Sequence, residues 1–449
     1  MKLNPLFPST ATLGVNTDLY ELTMAAAFFD AGCADQKATF ELFTRRLPPN
    51  RGFLVAAGLE QALQYILGVR FTEKTLAYLR SLPNFQTVKS EFFDYLRDFR
   101  FSGDVWAMPE GTVFFANEPI LQVRAPIIEA QILETFLINS LNFQTIVASK
   151  ASRICLAARG KAVVDFGTRR AQSPQAGLLA ARACFIGGCQ GTSNVLAGFE
   201  MGIPVVGTMA HSFVQFFDDE AQAFRKYHAT FPHHTILLVD TYDTLKGVEA
   251  ALRIPGQING VRLDSGDLDQ LSRATRKLLD SAGRRDIRIF ASGNLDEERI
   301  HALMLADAPI DAFGAGTEMV TSSDAPSSDM VYKLAEIFEG GRAIPKMKTS
   351  PGKATIPFRK QVFRKVAAEQ FAGDLVAGSD EQSEGQALLI PLIKSGRLAG
   401  KLPDIRAIQR RATEQLALLP AHYKLLHTSE EYPVEFSEAL LRARAETHH

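Results

Sequence analysis

Cysteine is scarce in this chain of 449 residues, and its spacing argues against two kinds of site. The four cysteines, at positions 33, 155, 184 and 189, form no Cys-x-x-Cys pair. Neither a zinc knuckle nor a thioredoxin-type redox site is therefore predicted, and no His-x-His or His-Glu-x-x-His spacing suggests zinc elsewhere. We expect free, buried thiols in a reducing compartment.

Long apolar runs and an excess of one charge are also missing. No run approaches the ~20 apolar residues of a membrane span, and the first residues, with Pro5 and Pro8, lack the apolar segment of a signal peptide. We therefore expect a cytoplasmic protein without a membrane partner. The formal net charge is −1, which gives no reason to expect nucleic acid as a partner.

The first third of the chain mixes helices with strands. Residues 14–32 have the caps of a helix, residues 38–47 alternate like a strand, and residues 104–126 form short β-prone segments separated by turns. We predict a strand-rich α/β N-terminal domain over 1–128. A helical stretch from Ile127 to about Ala158 follows it.

After residue 160, short apolar strands alternate with helices, which is typical of parallel strands with crossover helices. The predicted strands are 162–166, 204–208, 235–240, 258–264, 287–292, 310–316 and 331–338. Polar residues follow strand after strand, which fits the carboxyl-end face of a barrel better than a Rossmann sheet with one switch point. We predict an irregular TIM-like α/β barrel over 129–360, with the 361–449 segment packing on the N-terminal domain.

Several of these strand ends could bind phosphate. Gly314, Gly316 and Thr317 close a strand with backbone that can approach a phosphate, Arg169 and Arg170 have forks that suit anions, and Lys348 lies in a basic stretch. Each set can also be explained without a ligand: the glycines could serve a turn, the arginines could lie on the surface, and the lysine could lie in a solvated loop.

The acidic residues and one histidine leave similar alternatives. Asp240, Asp264 and Asp267 could hold Mg²⁺ against a phosphorylated substrate, or could cap helices. His211 stands alone, and a lone histidine is more often structural than catalytic. The residues favour a barrel enzyme acting on a phosphorylated anion with Mg²⁺. A barrel lyase or isomerase remains open, although it would usually carry a strand-end lysine or a His/Glu metal set, and a non-catalytic binding protein is disfavoured.

Eight segments in one order resemble nicotinate phosphoribosyltransferase over roughly residues 14–360. These segments are TDLYELTMA (17–25), DFGTRRAQ (165–172), GTSNVLAG (191–198), GTMAHSF (207–213), DTYDT (240–244), VRLDSGDL (261–268), FGAGTEMVTSSD (313–324) and PKMKTSPGKAT (345–355). The resemblance implies synthesis of nicotinate mononucleotide from nicotinate and 5-phosphoribosyl-1-pyrophosphate, coupled to ATP hydrolysis, in NAD salvage. It also implies a type II phosphoribosyltransferase barrel and a homodimer whose subunits share active sites.

The resemblance gives these residues roles. His211 resembles the histidine that ATP phosphorylates, and Asp264 would orient ribose hydroxyls or Mg²⁺. The residues expected to bind nicotinate are Tyr20 (from the partner subunit), Phe166, Arg170, Ser193, Thr208 and Arg262. The residues expected to bind phosphoribosyl pyrophosphate are Arg169, Asp240, Ser292, Asn294, Gly314, Gly316, Thr317 and Lys348.

One position bears on the choice of pyridine. The related nicotinamide enzyme has an aspartate where Ser193 stands, and a carboxylate there would repel nicotinate, so the serine favours the acid. Nicotinamide- and quinolinate-specific enzymes of the same fold remain the alternatives. Cys189-Gln190 departs from the Phe-Asp expected before Gly191, which puts the edge of this pocket in doubt.

Overall fold

The computed structural model describes residues 9–428 and 430–447. The chain divides into two compact units. The N-terminal unit comprises Met1–Thr145, Ser327–Asp404 and Glu414–His449, and the barrel unit comprises Ile146–Pro326 and Ile405–Thr413. The C-terminal segment thus joins the N-terminal unit, as predicted, except for nine residues that belong to the barrel unit.

The first part of the chain supplies most of the helices of the N-terminal unit. Its helices are α1 (Leu19–Asp30), α2 (Leu59–Gly68), α3 (Glu73–Ser81), α4 (Ser90–Arg97), α5 (Ile127–Gln131) and α6 (Glu134–Ala157), with 3₁₀ turns at Thr10–Val15 and Pro83–Phe85. Its strands are β1 (Lys37–Thr44), β2 (Leu54–Val55), β3 (Asp104–Ala107), β4 (Val113–Phe114) and β5 (Pro119–Pro126).

The middle of the chain alternates strand and helix, as predicted. Its strands are β6 (Ala162–Asp165), β7 (Gly191–Thr192), β8 (Ile236–Leu238), β9 (Gly260–Leu263), β10 (Arg288–Ser292) and β11 (Ala312–Ala315). Its helices are α7 (Pro174–Ile186), α8 (Val195–Met201), α9 (His211–Gln215), α10 (Glu220–Thr230), α11 (Thr244–Leu252), α12 (Leu268–Ser281), α13 (Glu297–Leu305) and α14 (Thr317–Val320), with a 3₁₀ turn at Thr168–Arg170.

The last part of the chain is mainly β. Its strands are β12 (Met330–Glu339), β13 (Arg342–Pro345), β14 (Lys360–Ala367), β15 (Gln370–Gly378), β16 (Gln386–Ala387), β17 (Ile390–Lys394), β18 (Arg397–Leu398) and β19 (Val434–Phe436). Its helices are α15 (Ile405–Leu418) and α16 (Glu438–Thr447), with a 3₁₀ turn at Ala421–Lys424.

The N-terminal unit is built on a seven-stranded sheet in the order β13-β12-β1-β5-β3-β17-β18. Strand β1 lies antiparallel between β12 and β5. A four-stranded sheet, β16-β14-β15-β19, comes entirely from the C-terminal segment. The predicted strand 331–338 is thus β12 of this sheet and no part of the barrel, because it pairs with β1 along its length. Tyr332 also stacks on Phe40 with ring centroids 5.0 Å apart.

The barrel unit contains a six-stranded parallel sheet in the order β7-β6-β11-β10-β9-β8. Val205 adds a parallel bridge to Thr192 beyond its edge. The predicted irregular TIM-like barrel is confirmed as a half-barrel of parallel strands. The unit spans 146–326 and 405–413, so it is shorter at both ends than the predicted 129–360.

Aspartates cap the helices that follow three of these strands. The side chains of Asp243, Asp267 and Asp296 accept hydrogen bonds from the backbone N–H groups of Lys246, Gln270 and Arg299. Such caps satisfy N–H groups that have no partner inside the helix. Asp267 is therefore a helix cap, whereas Asp264, for which a cap was also possible, makes other contacts.

Candidate active site

Every strand of the half-barrel carries a predicted site residue at or just after its carboxyl end. Phe166 follows β6, Ser193 follows β7, Asp240 follows β8, Asp264 follows β9, Ser292 ends β10 and Gly316 follows β11. Thr208 follows the bridge at Val205. Because the strands are parallel, these ends lie at one edge of the sheet, where barrel enzymes place their sites.

Arg262 is the centre of the hydrogen-bond network at this edge. Its Nε donates to Ser292 Oγ (2.9 Å), and its Nη1 donates to Thr208 Oγ1 (2.7 Å) and Met209 O (3.4 Å). Its Nη2 donates to Asp264 Oδ1 (2.8 Å). Four of the five guanidinium N–H groups are thereby used within the described chain, and one on Nη2 remains for a ligand.

Asp264 is held in its charged form. Burial would raise its pKa, but hydrogen bonds from Ser292 and Arg262 and the charge of Arg262 lower the pKa of this carboxyl below its usual value. Ser292 Oγ lies 2.5 Å from the same Oδ1 atom. Oδ2 is turned towards His211, with Nε2 at 3.8 Å.

His211 begins the short helix α9 and keeps 41% of its side chain exposed. Its Nδ1 lies 3.2 Å from Thr241 Oγ1. Asp240, next to Thr241, accepts from the backbone N–H of Asp264 (3.0 Å) and from Ser265 Oγ (2.7 Å) through Oδ2. The structure thus brings together the predicted residues His211, Asp240 and Asp264 around an accessible imidazole.

The ring of Phe166 lies beneath the guanidinium of Arg262, whose Cζ is 5.5 Å from the ring centroid. Phe290 stacks on Phe166 with centroids 5.7 Å apart. A Cβ on Gly314 would come within 2.5 Å of the Phe166 ring. This packing alone accounts for a glycine at 314, independently of the phosphate contact predicted for it.

Asp165, the first residue of the DFGTRRAQ segment, is a functional candidate to which the sequence assigned no role. Its Oδ1 accepts from Gly167 N–H and its Oδ2 accepts from the Thr192 hydroxyl, both at 2.7 Å. Its carbonyl accepts from Ser193 N–H at 2.8 Å. The side chain is fully buried, which raises its pKa. Asp165 therefore ties the Phe166 turn to the Ser193 turn.

Glu220 is a second residue that sequence reasoning missed. It begins α10 after the cap Asp219. Burial, and then repulsion from Asp240 and Asp243, raises its pKa to about 7. Its buried Oε1 finds no hydrogen-bond partner within the described chain. No sequence pattern distinguishes it, because Asp-Asp-Glu before a helix is an ordinary cap.

Two of the remaining predicted residues of the barrel unit, Arg170 and Asn294, line one cavity. Arg170, exposed on the 3₁₀ turn, lines a cavity of about 740 Å³ together with Asp264 and Asn294. Asn294 has a positive φ of 48° after Gly293. Arg169 is exposed beside Arg170, and Gly316 and Thr317 form the start of α14. The cavity places cations and backbone turns beside the Asp264 network.

Two predicted residues lie outside the barrel unit. Tyr20 is on α1 and is 45% exposed, and burial followed by the charges of Glu134 and Glu21 raises the pKa of its phenol. Lys348 follows β13, where its backbone N–H donates to Thr355 Oγ1 (3.0 Å). Both belong to the N-terminal unit.

A complete protein-only metal site is absent from residues 9–428 and 430–447, where no group of three or more His, Cys, Asp or Glu side chains could hold a metal ion. Within the same residues, no helix is long and apolar enough to cross a membrane. Asp240 nevertheless has a buried Oδ1 without a hydrogen-bond partner among these residues. With Asp264 Oδ2 it offers the sparse carboxylate donors that Mg²⁺ uses when phosphate oxygens and water complete its shell.

The half-barrel matches a known class of domain. Residues 147–331 match the model of the quinolinate phosphoribosyl transferase C-terminal domain, so the barrel unit is of the phosphoribosyltransferase type. Residues 15–142 and 381–444 match the models of the nicotinate phosphoribosyltransferase N-terminal and C-terminal domains. The chain belongs to the nicotinate phosphoribosyltransferase family.

Individual relatives agree over nearly the whole chain. A nicotinate phosphoribosyltransferase of Mycobacterium tuberculosis is 46% identical, covering 96% of this chain and 93% of its own length. That of Bacillus subtilis is 40% identical, covering 95% and 93%. The crystal structure of human nicotinic acid phosphoribosyltransferase is 29% identical with a TM-score of 0.85, covering 96% and 99%. The resemblance seen in the sequence motifs is thereby confirmed.

Proposed function

We propose that this protein transfers the phosphoribosyl group of 5-phosphoribosyl-1-pyrophosphate to the ring nitrogen of nicotinate, releasing pyrophosphate and forming nicotinate mononucleotide for NAD salvage. The observation that carries the proposal is Arg262, which lies over the Phe166 ring and keeps one N–H for a ligand. A flat, anionic pyridine can pack against an aromatic side chain while its carboxylate accepts from a guanidinium N–H.

The reaction needs positioning and charge stabilisation rather than a protein nucleophile. As the bond from C1 of the ribose to pyrophosphate breaks, positive charge develops on the sugar and then on the pyridine ring. The Asp264 carboxylate, kept ionised by Arg262 and Ser292, lies where it can orient ribose hydroxyls. Arg169, Arg170, Asn294, Gly316 and Thr317 would hold the phosphates.

Mg²⁺ would be held by Asp264, with Asp240, and by substrate oxygens. When bound, the ion would neutralise negative charge on the pyrophosphate. The protein's own part is to orient both carboxylates through the hydrogen bonds to Asp264 and Asp240, and to keep Asp264 ionised by lowering its pKa.

Coupling to ATP is assigned to His211. The imidazole is accessible and is oriented by Thr241 on one side and Asp264 on the other. In this step the terminal phosphoryl group of ATP moves to an imidazole nitrogen and ADP leaves. Water later cleaves the phosphohistidine to give phosphate. The phosphoryl group beside the substrate site would tighten substrate binding and drive the transfer forward.

The assay that tests the proposal measures product formation from phosphoribosyl pyrophosphate and Mg²⁺ with nicotinate, nicotinamide or quinolinate, each with and without ATP. Nicotinate turnover stimulated by ATP, with release of ADP, is expected. Turnover of another pyridine alone would refute the choice of nicotinate. His211→Ala should lose ATP stimulation and keep slow transfer, whereas His228→Ala, whose ring bonds Thr235, should keep the stimulation. Equal stimulation in all three proteins would refute the role of His211.

A homodimer with shared sites is part of the proposal. Helix α1 exposes Leu19, Tyr20 and Met24, apolar side chains that a partner subunit would cover. Tyr20→Ala and Arg262→Ala, each inactive alone, should recover roughly a quarter of the wild-type activity when refolded together, because mixed dimers would hold one intact site. No recovery from a mixture that forms dimers would contradict the contribution of Tyr20 from the partner.

A further inference from the structure

The first half of α15 belongs to the barrel unit although the C-terminal segment around it does not. Ile408 and Ala412 are buried, and Ile405 packs against an apolar cluster. The members of this cluster come from α7, from α8 and from the second residue after α8, and they are Ala181, Phe185, Ala197 and Ile203. The helix therefore rests on the two helices that flank Ser193.

Gln409 binds the turn that precedes Ser193. Its Nε2 donates to Phe185 O (2.7 Å) and to Cys189 O (2.9 Å). Phe185 lies in the last turn of α7, where carbonyls have no partner inside the helix. One amide group thus joins the end of α7 to Cys189, which stands two residues before β7.

Arg406 binds the other end of the same segment. Its Nη2 donates to Gly202 O (3.2 Å), at the left-handed residue that ends α8. Between these two anchors, Gln190 N–H bonds Val163 O and Ser193 N–H bonds Asp165 O, both at 2.8 Å. The segment 189–202 is therefore tied to β6 on one side and to α15 at its two ends.

Gln409 adds external support to the turn at Cys189, whose own N–H donates to Cys184 O (3.0 Å). Cys189 is fully buried with its Sγ 3.7 Å from Met319 Sδ, but its side chain is small and buries little apolar surface. The hydrogen bond from Gln409 to its carbonyl supplies a directional restraint that the thiol does not.

We propose that Gln409 is a positioning residue for the pyridine pocket: it sets the placement of Ser193 and so makes the C-terminal segment a determinant of nicotinate binding. The inference rests on the proposed function, in which Ser193 faces the pyridine. It gives the chain beyond residue 400 a part in substrate choice. Gln409 acts through the backbone and touches no reacting atom.

The test compares Gln409→Leu with Gln415→Leu. Gln415 lies on the same helix, and its Oε1 accepts from Arg364 Nη1 (3.0 Å) and Val113 N–H (3.4 Å) in the N-terminal unit. Gln409→Leu should raise the KM for nicotinate roughly tenfold, as expected for the loss of two hydrogen bonds. It should change the KM for phosphoribosyl pyrophosphate less than about twofold, and it should lower the preference for nicotinate over nicotinamide. Gln415→Leu should leave both KM values and the preference for nicotinate over nicotinamide unchanged.

Amide hydrogen exchange gives a readout that needs no activity. Exchange in residues 187–203 should accelerate in Gln409→Leu and remain as in the wild type in Gln415→Leu. Gln409→Asn, whose shorter side chain cannot span both carbonyls, should reproduce the effect if the leucine variant does not fold. Unchanged exchange, or equal rises in both KM values, would overturn the inference. If the wild-type enzyme does not convert nicotinate, the proposed function is refuted instead. The amide hydrogen exchange measurement alone would then decide whether Gln409 holds the turn.

Discussion

Arg262 and Asp264, two residues apart at the end of one strand, point the same way and join Nη2 to Oδ1 at 2.8 Å. Alternate residues of a strand share a face, so the strand itself sets this ion pair beside the predicted substrate. The pair leaves one arginine N–H and one carboxylate oxygen free. The N–H can bind an anion, and the carboxylate oxygen can bind a hydroxyl or a cation.

Replacing the guanidinium by an ammonium tests this arrangement. Arg262→Lys keeps the charge but cannot donate to Ser292, Thr208 and Asp264 at once. Loss of about 3 kcal/mol of charged hydrogen bonding predicts a fall of roughly a hundredfold in kcat/KM for nicotinate. Arg299→Lys, on the same cavity wall, is the matched control and should change little. Equal effects at both positions would contradict the central role of Arg262.

A carboxylate at position 193 should reverse the preference between acid and amide. Two carboxylates about 4 Å apart repel by about 4 kcal/mol near a protein surface, so Ser193→Asp should lower kcat/KM for nicotinate at least roughly a hundredfold. Turnover of nicotinamide should rise, because its amide can donate to the new carboxylate. Ser193→Asn provides the uncharged control of similar size. Unchanged acid-to-amide selectivity in the aspartate variant would refute the assignment.

Removing the charge of Asp165 should disturb Phe166 and Ser193 together. An asparagine can accept from Gly167 N–H, but it leaves the buried Thr192 hydroxyl without its acceptor, which costs about 1–3 kcal/mol. Asp165→Asn should lower the melting temperature and raise the KM for nicotinate. Asp243→Asn is the comparison, because asparagine caps a helix as well as aspartate does. If both variants melt alike and bind nicotinate alike, Asp165 does not organise the pocket.

Stability should depend on pH through Glu220. Its pKa is raised to about 7 in the folded protein, so the folded state holds the proton more tightly than the unfolded chain does. Stability is lost as the pH rises from the ordinary carboxyl pKa through about 7. Glu220→Gln should therefore raise the melting temperature relative to wild type at pH 8 and much less at pH 5. A difference independent of pH would contradict the raised pKa, and the exposed Glu298→Gln serves as control.

The barrel part of the site was predictable because strand ends are visible in sequence. Apolar strands ending in Asp165, Asp264 or Ser292 are recognisable one at a time, and parallel topology brings their ends together. The partners within the site were not predictable. Nothing in the sequence shows that Arg262 donates four N–H groups to the protein, since that depends on distances across three chain segments.

Two features of the fold were misjudged for physical reasons. Strand β12 has the same apolar pattern whichever sheet contains it, and only its long-range pairing with β1 and the packing of Tyr332 on Phe40 place it in the N-terminal unit. Helix α15 reads as one amphipathic helix, yet its two halves are buried by different units. A local pattern reports that a face is buried, but not which element covers it.

Both units are discontinuous in the chain, so each becomes complete only late in synthesis. The barrel unit receives Ile405–Thr413 long after its last strand, and β1 is completed on one edge by β12, almost three hundred residues later. A ribosome therefore releases neither unit complete until it has translated most of the message. Any fragment cut at the end of the barrel sheet would expose the apolar faces of α7 and α8, so the shortest autonomous piece of this protein is close to the whole chain.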